Sequence, residues 1–185
     1  MTADRTALLV IDCQVDFGSP DGEMARRGMD MTAPQAALGN AECLVEAARA
    51  AGVKVVFVRL LTRPGSDEAL CVEGTSGAGF IGPQPQAGEA VVSKTRYSAF
   101  ARTGLAEQLQ AAGVDTLVLA GLTTECCVAS SAWYGFERDF HIVIAADACA
   151  AYEPNLHRHA LQALEISGAM IVPSAALAAV WNKSL

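Results

Sequence analysis

The apolar residues of this chain come in short unbroken runs separated by segments of helical spacing. Residues 7–11 (ALLVI), 53–60 (VKVVFVRL), 116–120 (TLVLA) and 141–146 (HIVIAA) carry no regular apolar–polar alternation. A strand with one wet face alternates, whereas a strand buried on both faces does not. Strands of the second kind need a helical layer on each side. Residues 34–51, with Gly52 placed to end the helix, and residues 104–112, 124–138, 154–167 and 174–181 have the pattern to supply it. Two shorter runs, 90–93 and 169–172, complete a repeated β-α order. The expected fold class is α/β: a three-layer, doubly wound, mostly parallel six-stranded sheet with helices on both faces, built as a single domain over residues 1–185. Residues 61–88, rich in Gly and Pro, read as a long loop, and a loop of that length serves a site or an interface.

Composition narrows the partners. A hydrophobic fraction of 52% and a charged fraction of 18% fit a packed core. A net charge of -7 opposes a phosphate backbone, so no nucleic-acid partner is expected. No run approaches the ~20 apolar residues of a membrane span. Residues 1–5 are polar and charged and the following apolar run is short, so no secretory leader is expected. The six cysteines, at 13, 43, 71, 126, 127 and 149, form no C-x-x-C pair. Reduced thiols in a cytoplasmic protein are the expectation.

In an open α/β sheet, ligands sit beyond the carboxyl ends of the strands, near the switch in strand order. Three strand ends carry reactive groups. Asp12 closes a wholly apolar run, where a carboxylate serves either as a loop-fixing cap or as a proton acceptor. Lys94 follows residues 90–93 and, read alone, is a solvated lysine. Cys126 and Cys127 lie in the first turns of the helix after residues 116–120. Free N–H groups and the helix dipole there favour a thiolate and can receive an oxyanion. Spacing alone does not choose between the two cysteines, and both also read as packed core residues. Asp16 reads as a turn residue, and Trp133 and Tyr134 as helix packing or subunit contact.

Taken together, LLVIDCQVDF (8–17), SKTRYSAF (93–100) and GLTTECCV (121–128) resemble the isochorismatase-like cysteine hydrolase superfamily over nearly the whole chain. The last segment is the most specific, because G-x-x-T-x-x-C-V fits it without a gap. The resemblance implies Cys127, not Cys126, as nucleophile, Asp12 as base and Lys94 beside them. It also implies a cis peptide between Leu122 and Thr123, and an oxyanion held by the N–H groups of Thr123 and Cys127. Phe17 falls where the family often has a pocket aromatic. Gln14 is a candidate either to bond a substrate or to fix the Asp12 loop, and Arg96 is a candidate anchor for a substrate carboxylate.

The resemblance also separates branches. Nicotinamidases carry an Asp and two histidines as metal ligands after the second strand, but residues 60–70 here hold no histidine. His141, His157 and His159 read as surface groups. No metal and no cofactor are therefore expected. Vinyl-ether isochorismatases do not need the cysteine, so Cys127 favours the amidase-type branch. EGTSGAGF (73–80) and the segment around Lys94 look most like the ureidoacrylate, biuret and N-carbamoylsarcosine amidohydrolases. The expected activity is hydrolysis of a C–N bond in a small amide or ureido compound through a thioester. A vinyl-ether hydrolase, or a non-catalytic thiol redox or binding protein, is the alternative. The family commonly assembles as dimers or larger homo-oligomers, so a dimer or tetramer is expected, with residues 61–88 as a source of the interface.

Overall fold

A computed structural model describes residues 2–65 and 70–182. Its sheet has six strands in the order β3-β2-β1-β4-β5-β6. They are β1 (Thr6–Ile11), β2 (Lys54–Leu60), β3 (Ala90–Lys94), β4 (Thr116–Leu122), β5 (His141–Ala150) and β6 (Met170–Val172). Every pairing is parallel. Chain order therefore runs outward from β1 in one direction and then, from β4, in the other. The switch point lies between β1 and β4, whose carboxyl ends meet at the Ile11–Gly121 pair.

Alternate residues of each strand face opposite layers. Leu8, Val10, Phe57, Val118 and Ala120 point to one face, covered by α3 (Thr32–Ala50) and α7 (Ser174–Asn182) through Leu38, Leu44, Leu177 and Trp181. Leu9, Ile11, Val58, Leu117 and Leu119 point to the other. There α4 (Leu105–Ala111), α5 (Ala129–Phe136) and α6 (Pro154–Ile166) bring Leu105, Leu109, Ala132 and Leu164. The central strands β1 and β4 are buried along their whole length, which is why they read as unbroken apolar runs. Gly52 ends α3 as expected. Its φ is 70° and the N–H of Val53 returns to the Ala48 carbonyl.

The departures are local. Two four-residue helices, α1 (Val15–Gly18) and α2 (Glu23–Arg26), follow β1 where the sequence suggested only a turn. β5 runs four residues beyond the expected end, and its register with β4 shifts between Leu119 and Gly121. The segment after β4 is not one α-helix. Thr124–Val128 forms a π turn in which the Val128 N–H reaches back five residues to the Thr123 carbonyl, and α5 begins only after it. The long loop is tied down rather than free. Thr62 bridges Val72, Gln14 bridges Phe80, and Cys71 and Ala78 are buried in the core. Residues 66–69 of that loop lie outside the described residues.

Candidate active site

Three buried groups meet beyond the strand ends. Asp12 stands one residue past β1, anchored by its N–H to the Val58 carbonyl at 2.8 Å. Its φ of 51° turns the chain sharply, a conformation Asp tolerates better than most residues. Lys94 ends β3, an edge strand two places from β1, and its four-carbon stem spans the end of β2. The Lys94 Nζ donates to Asp12 Oδ2 at 2.7 Å, to the Arg96 carbonyl at 3.1 Å and toward Cys127 Sγ at 3.5 Å. The side chains of Asp12 and Lys94 are fully buried, so the solvated reading of Lys94 gives way to a desolvated ion pair. Cys127 comes from the π turn on the other side of the switch point and is also buried. The peptide between Leu122 and Thr123 is cis.

Burial and the neighbouring charges bias each group of the cluster. Burial raises the Asp12 carboxyl above its usual range, against the pull of Lys94 and of bonds to Cys127 and Lys94. Burial alone would lower Lys94, but Asp12 and Cys127 outweigh it and hold the ammonium above its ordinary value. The Cys127 thiol is pushed strongly up, first by its contact with Cys126, then by burial and Asp12, with Lys94 acting in the opposite sense. The helix-end and lysine effects that suggested a resting thiolate are therefore outweighed. These directions favour the ammonium form of Lys94 and the neutral thiol of Cys127, so the activation needed is transfer of the thiol proton.

The other candidate residues divide. Gln14 is fully engaged by backbone. Its Oε1 accepts from the Leu60 N–H at 2.8 Å, and its Nε2 donates to the carbonyls of Leu60 at 2.9 Å and Ala78 at 3.0 Å. These bonds fix the ends of β1 and β2, the loop-fixing alternative of its two readings. Phe17 packs its ring into the core under α3, and its carbonyl accepts from the Tyr152 hydroxyl at 2.9 Å. Arg96 brings its backbone to Lys94, while its exposed guanidinium bonds the Thr95 carbonyl. Asp16 holds the long loop from beneath. Its Oδ2 accepts from the Cys71 N–H at 2.7 Å and its Oδ1 from the Glu23 N–H at 3.1 Å, and a Cβ on Gly77 would overlap the carboxylate.

Sequence reasoning missed several neighbours. Ser131 links the two halves of the site, donating to the Cys127 carbonyl at 2.7 Å and accepting from the Ala99 N–H at 2.9 Å. Its position four residues after Cys127 is the only signal that marked it. His157, read as a surface group, is half-buried with Nδ1 2.8 Å from Thr124 Oγ1; burial holds its imidazole below the usual value. His141 and His159 are exposed as expected. Glu125 and Tyr152 also belong to this neighbourhood. Glu125 Oε1 accepts from Thr123 Oγ1 at 3.0 Å. Burial, then Glu125, Cys71, Cys127 and Asp16, raise the Tyr152 phenol. Among the described residues no three His, Cys, Asp or Glu side chains gather as metal ligands.

Known proteins resemble this chain in sequence and in fold. A family model described as "Isochorismatase domain" matches residues 6–176. The chain is 30% identical to the ureidoacrylate amidohydrolase RutB of Methylobacterium radiotolerans over 188 aligned positions, covering 86% of this chain and 73% of that one. The crystal structure of an isochorismatase family protein from Desulfovibrio vulgaris superposes with a TM-score of 0.85 at 33% identity, covering 95% and 97% of the two chains. The nicotinamidase/pyrazinamidase PncA of Bacillus subtilis superposes with a TM-score of 0.81 at 28% identity, covering 91% and 99%.

Proposed function

This chain belongs to the isochorismatase family, and on that premise we propose that it is a cysteine hydrolase of the amidase type, cleaving a C–N bond in a small amide or ureido compound. The observation that carries the reading is the buried Lys94 ammonium in contact with both Asp12 Oδ2 and Cys127 Sγ. Likeness to an amidohydrolase and a nicotinamidase supports the same bond type.

In the proposed sequence the substrate carbonyl lies over Cys127 with its oxygen toward the N–H groups of Thr123 and Cys127. Sγ attacks the carbon as the thiol proton passes to Asp12, and the carbonyl π electrons move onto oxygen. Collapse of this intermediate breaks the C–N bond, and the leaving nitrogen takes the proton from Asp12. Water then gives a proton to Asp12 and adds to the thioester. The C–S bond breaks, and Asp12 returns the proton to sulfur. Lys94 stays an ammonium throughout, offsetting the negative charge that shuttles between Asp12 and sulfur. A neutral resting thiol fits this scheme, since Asp12 makes the nucleophile only when the carbonyl is in place. No step needs a metal or cofactor. The reading includes self-association as a dimer or tetramer.

The test is ammonia release from ureidoacrylate, biuret, N-carbamoylsarcosine, maleamate and nicotinamide, with and without a chelator, for the native chain and Cys127→Ser. Release from at least one member, unchanged by chelator and lost in the variant by a factor of about 10³ or more, is expected. Equal release by the variant would remove Cys127 as nucleophile and reopen vinyl-ether chemistry. Light scattering on the same samples should give two or four times the chain mass.

A further inference from the structure

The turn that carries Cys127 leans on few bonds of its own. The Thr123 carbonyl accepts from the N–H groups of both Cys126 and Val128, each at 3.2 Å, so the residues on either side of Cys127 hang from one oxygen. Both distances lie at the long end of the N–H···O range. The place of the sulfur is therefore set largely from outside the turn. Just beyond its far end, Ser131 ties the Cys127 carbonyl to the Ala99 N–H. At its near end the tie is to α6. Thr124 is fully buried, and its Oγ1 lies 2.8 Å from His157 Nδ1. His157 is seven residues before Leu164, the buried residue of α6, and so lies on the inward face of a helix that packs directly against the turn. Thr124 shares the peptide unit whose carbonyl holds Cys126 and Val128. A hydroxyl fixed there steadies that oxygen, and through it the backbone around Cys127.

No step of the mechanism above uses His157. We propose that His157 is a positioning residue for the nucleophile: through Thr124 it fastens the head of the π turn to α6, and so holds Cys127 Sγ against Lys94 and Asp12. The tolerance is small, since Lys94 Nζ reaches Sγ at 3.5 Å and a modest drift of the turn ends that contact. Burial favours the neutral imidazole, against the charge of Glu125 from the same turn. A neutral ring pairs with a hydroxyl in either tautomer, as donor or as acceptor. The inference rests on Cys127 being the nucleophile of the proposed reaction, and it adds what aims it.

His157→Leu keeps much of the bulk of the ring and removes the hydrogen bond, and Thr124→Val removes it from the other side. His157→Asn puts a polar atom as many bonds from the backbone as Nδ1. Two readouts are taken below the melting transition of every variant. The first is alkylation of Cys127 by iodoacetamide at neutral pH, followed by peptide mass spectrometry, which separates it from Cys126 and needs no substrate. Cys127 is buried with its thiol held neutral, so a turn that drifts outward reacts faster, by about fivefold or more in His157→Leu and in Thr124→Val. The second is hydrolysis of whichever amide the panel identifies, whose kcat should fall about tenfold with KM within about twofold. A substitution that merely weakened the fold would lower the melting temperature and move neither number in the folded protein. The double variant should be no worse than either single, since both remove one bond, and His157→Asn should stay within about twofold of the native chain. Unchanged alkylation or unchanged kcat in His157→Leu, effects that multiply in the double variant, or a His157→Asn that behaves as His157→Leu overturns the proposal. Absence of turnover in the native chain would sink the amidase reading alone, and the alkylation comparison would then decide this one.

Discussion

At Asp12, the proton acceptor of the proposed mechanism, the carboxylate is held where ionisation is costly. Burial raises it above its usual value of 3.8, and Lys94 only partly offsets this. Two pH effects of opposite sign follow. The folded chain holds the Asp12 proton more tightly than the unfolded chain does. Stability from this group is therefore greatest below pH 3.8 and declines as pH rises through the folded value. The proposed mechanism needs the ionised form, so kcat/KM should rise over the same interval, with its acid limb above pH 3.8. An acid limb at or below that pH would show that Asp12 is not the proton acceptor. Little of this was legible in the sequence. Asp12 and Lys94 are 82 residues apart, and each by itself has an ordinary reading as a cap or a solvated side chain. The family resemblance joined them. Nothing joined Glu125, Tyr152 or His157 to the site, because their contacts are made between elements that only the fold brings together.

Among the elements, strands were the most legible because burial on both faces leaves a direct mark on the sequence. β1 and β4 coincide with their apolar runs to within two residues at either end. Helix type after β4 was not legible. A five-residue return from Val128 to Thr123 depends on how the turn seats against β4 and β5, and the residues themselves would serve an α-helix equally well. The short helices α1 and α2 were hidden for a similar reason, since four residues hold no period to detect. Where β4 leaves the sheet, Gly121 has a φ of 127° and lies so close to β1 that a Cβ would overlap the Ile11 carbonyl. That carbonyl is backbone and cannot swing away. Gly121→Ala should cost about 3 kcal/mol or more in urea denaturation. A loss under about 1 kcal/mol would mean that the two strand ends separate more readily than this packing implies.

At the scale of the whole molecule, the strand order explains why the site lies where it does. The order in which strands are added reverses between β1 and β4, and the opening left there receives Asp12 from one side and the cysteine turn from the other. That much was legible, since repeated β-α units and the rule for open sheets point to the same place. Lys94 is less well protected than its partners. It is carried by β3, a five-residue edge strand whose other residues are exposed or half-exposed, so the ammonium depends on the segment most easily peeled from the sheet. Under rising urea, catalytic activity should vanish at a lower concentration than the far-ultraviolet circular dichroism of the sheet and helices. Coincident midpoints would mean that the edge is as firm as the centre. If they separate, turnover works as a sensor of one frayed strand, and the enzyme falls silent while most of its architecture still stands.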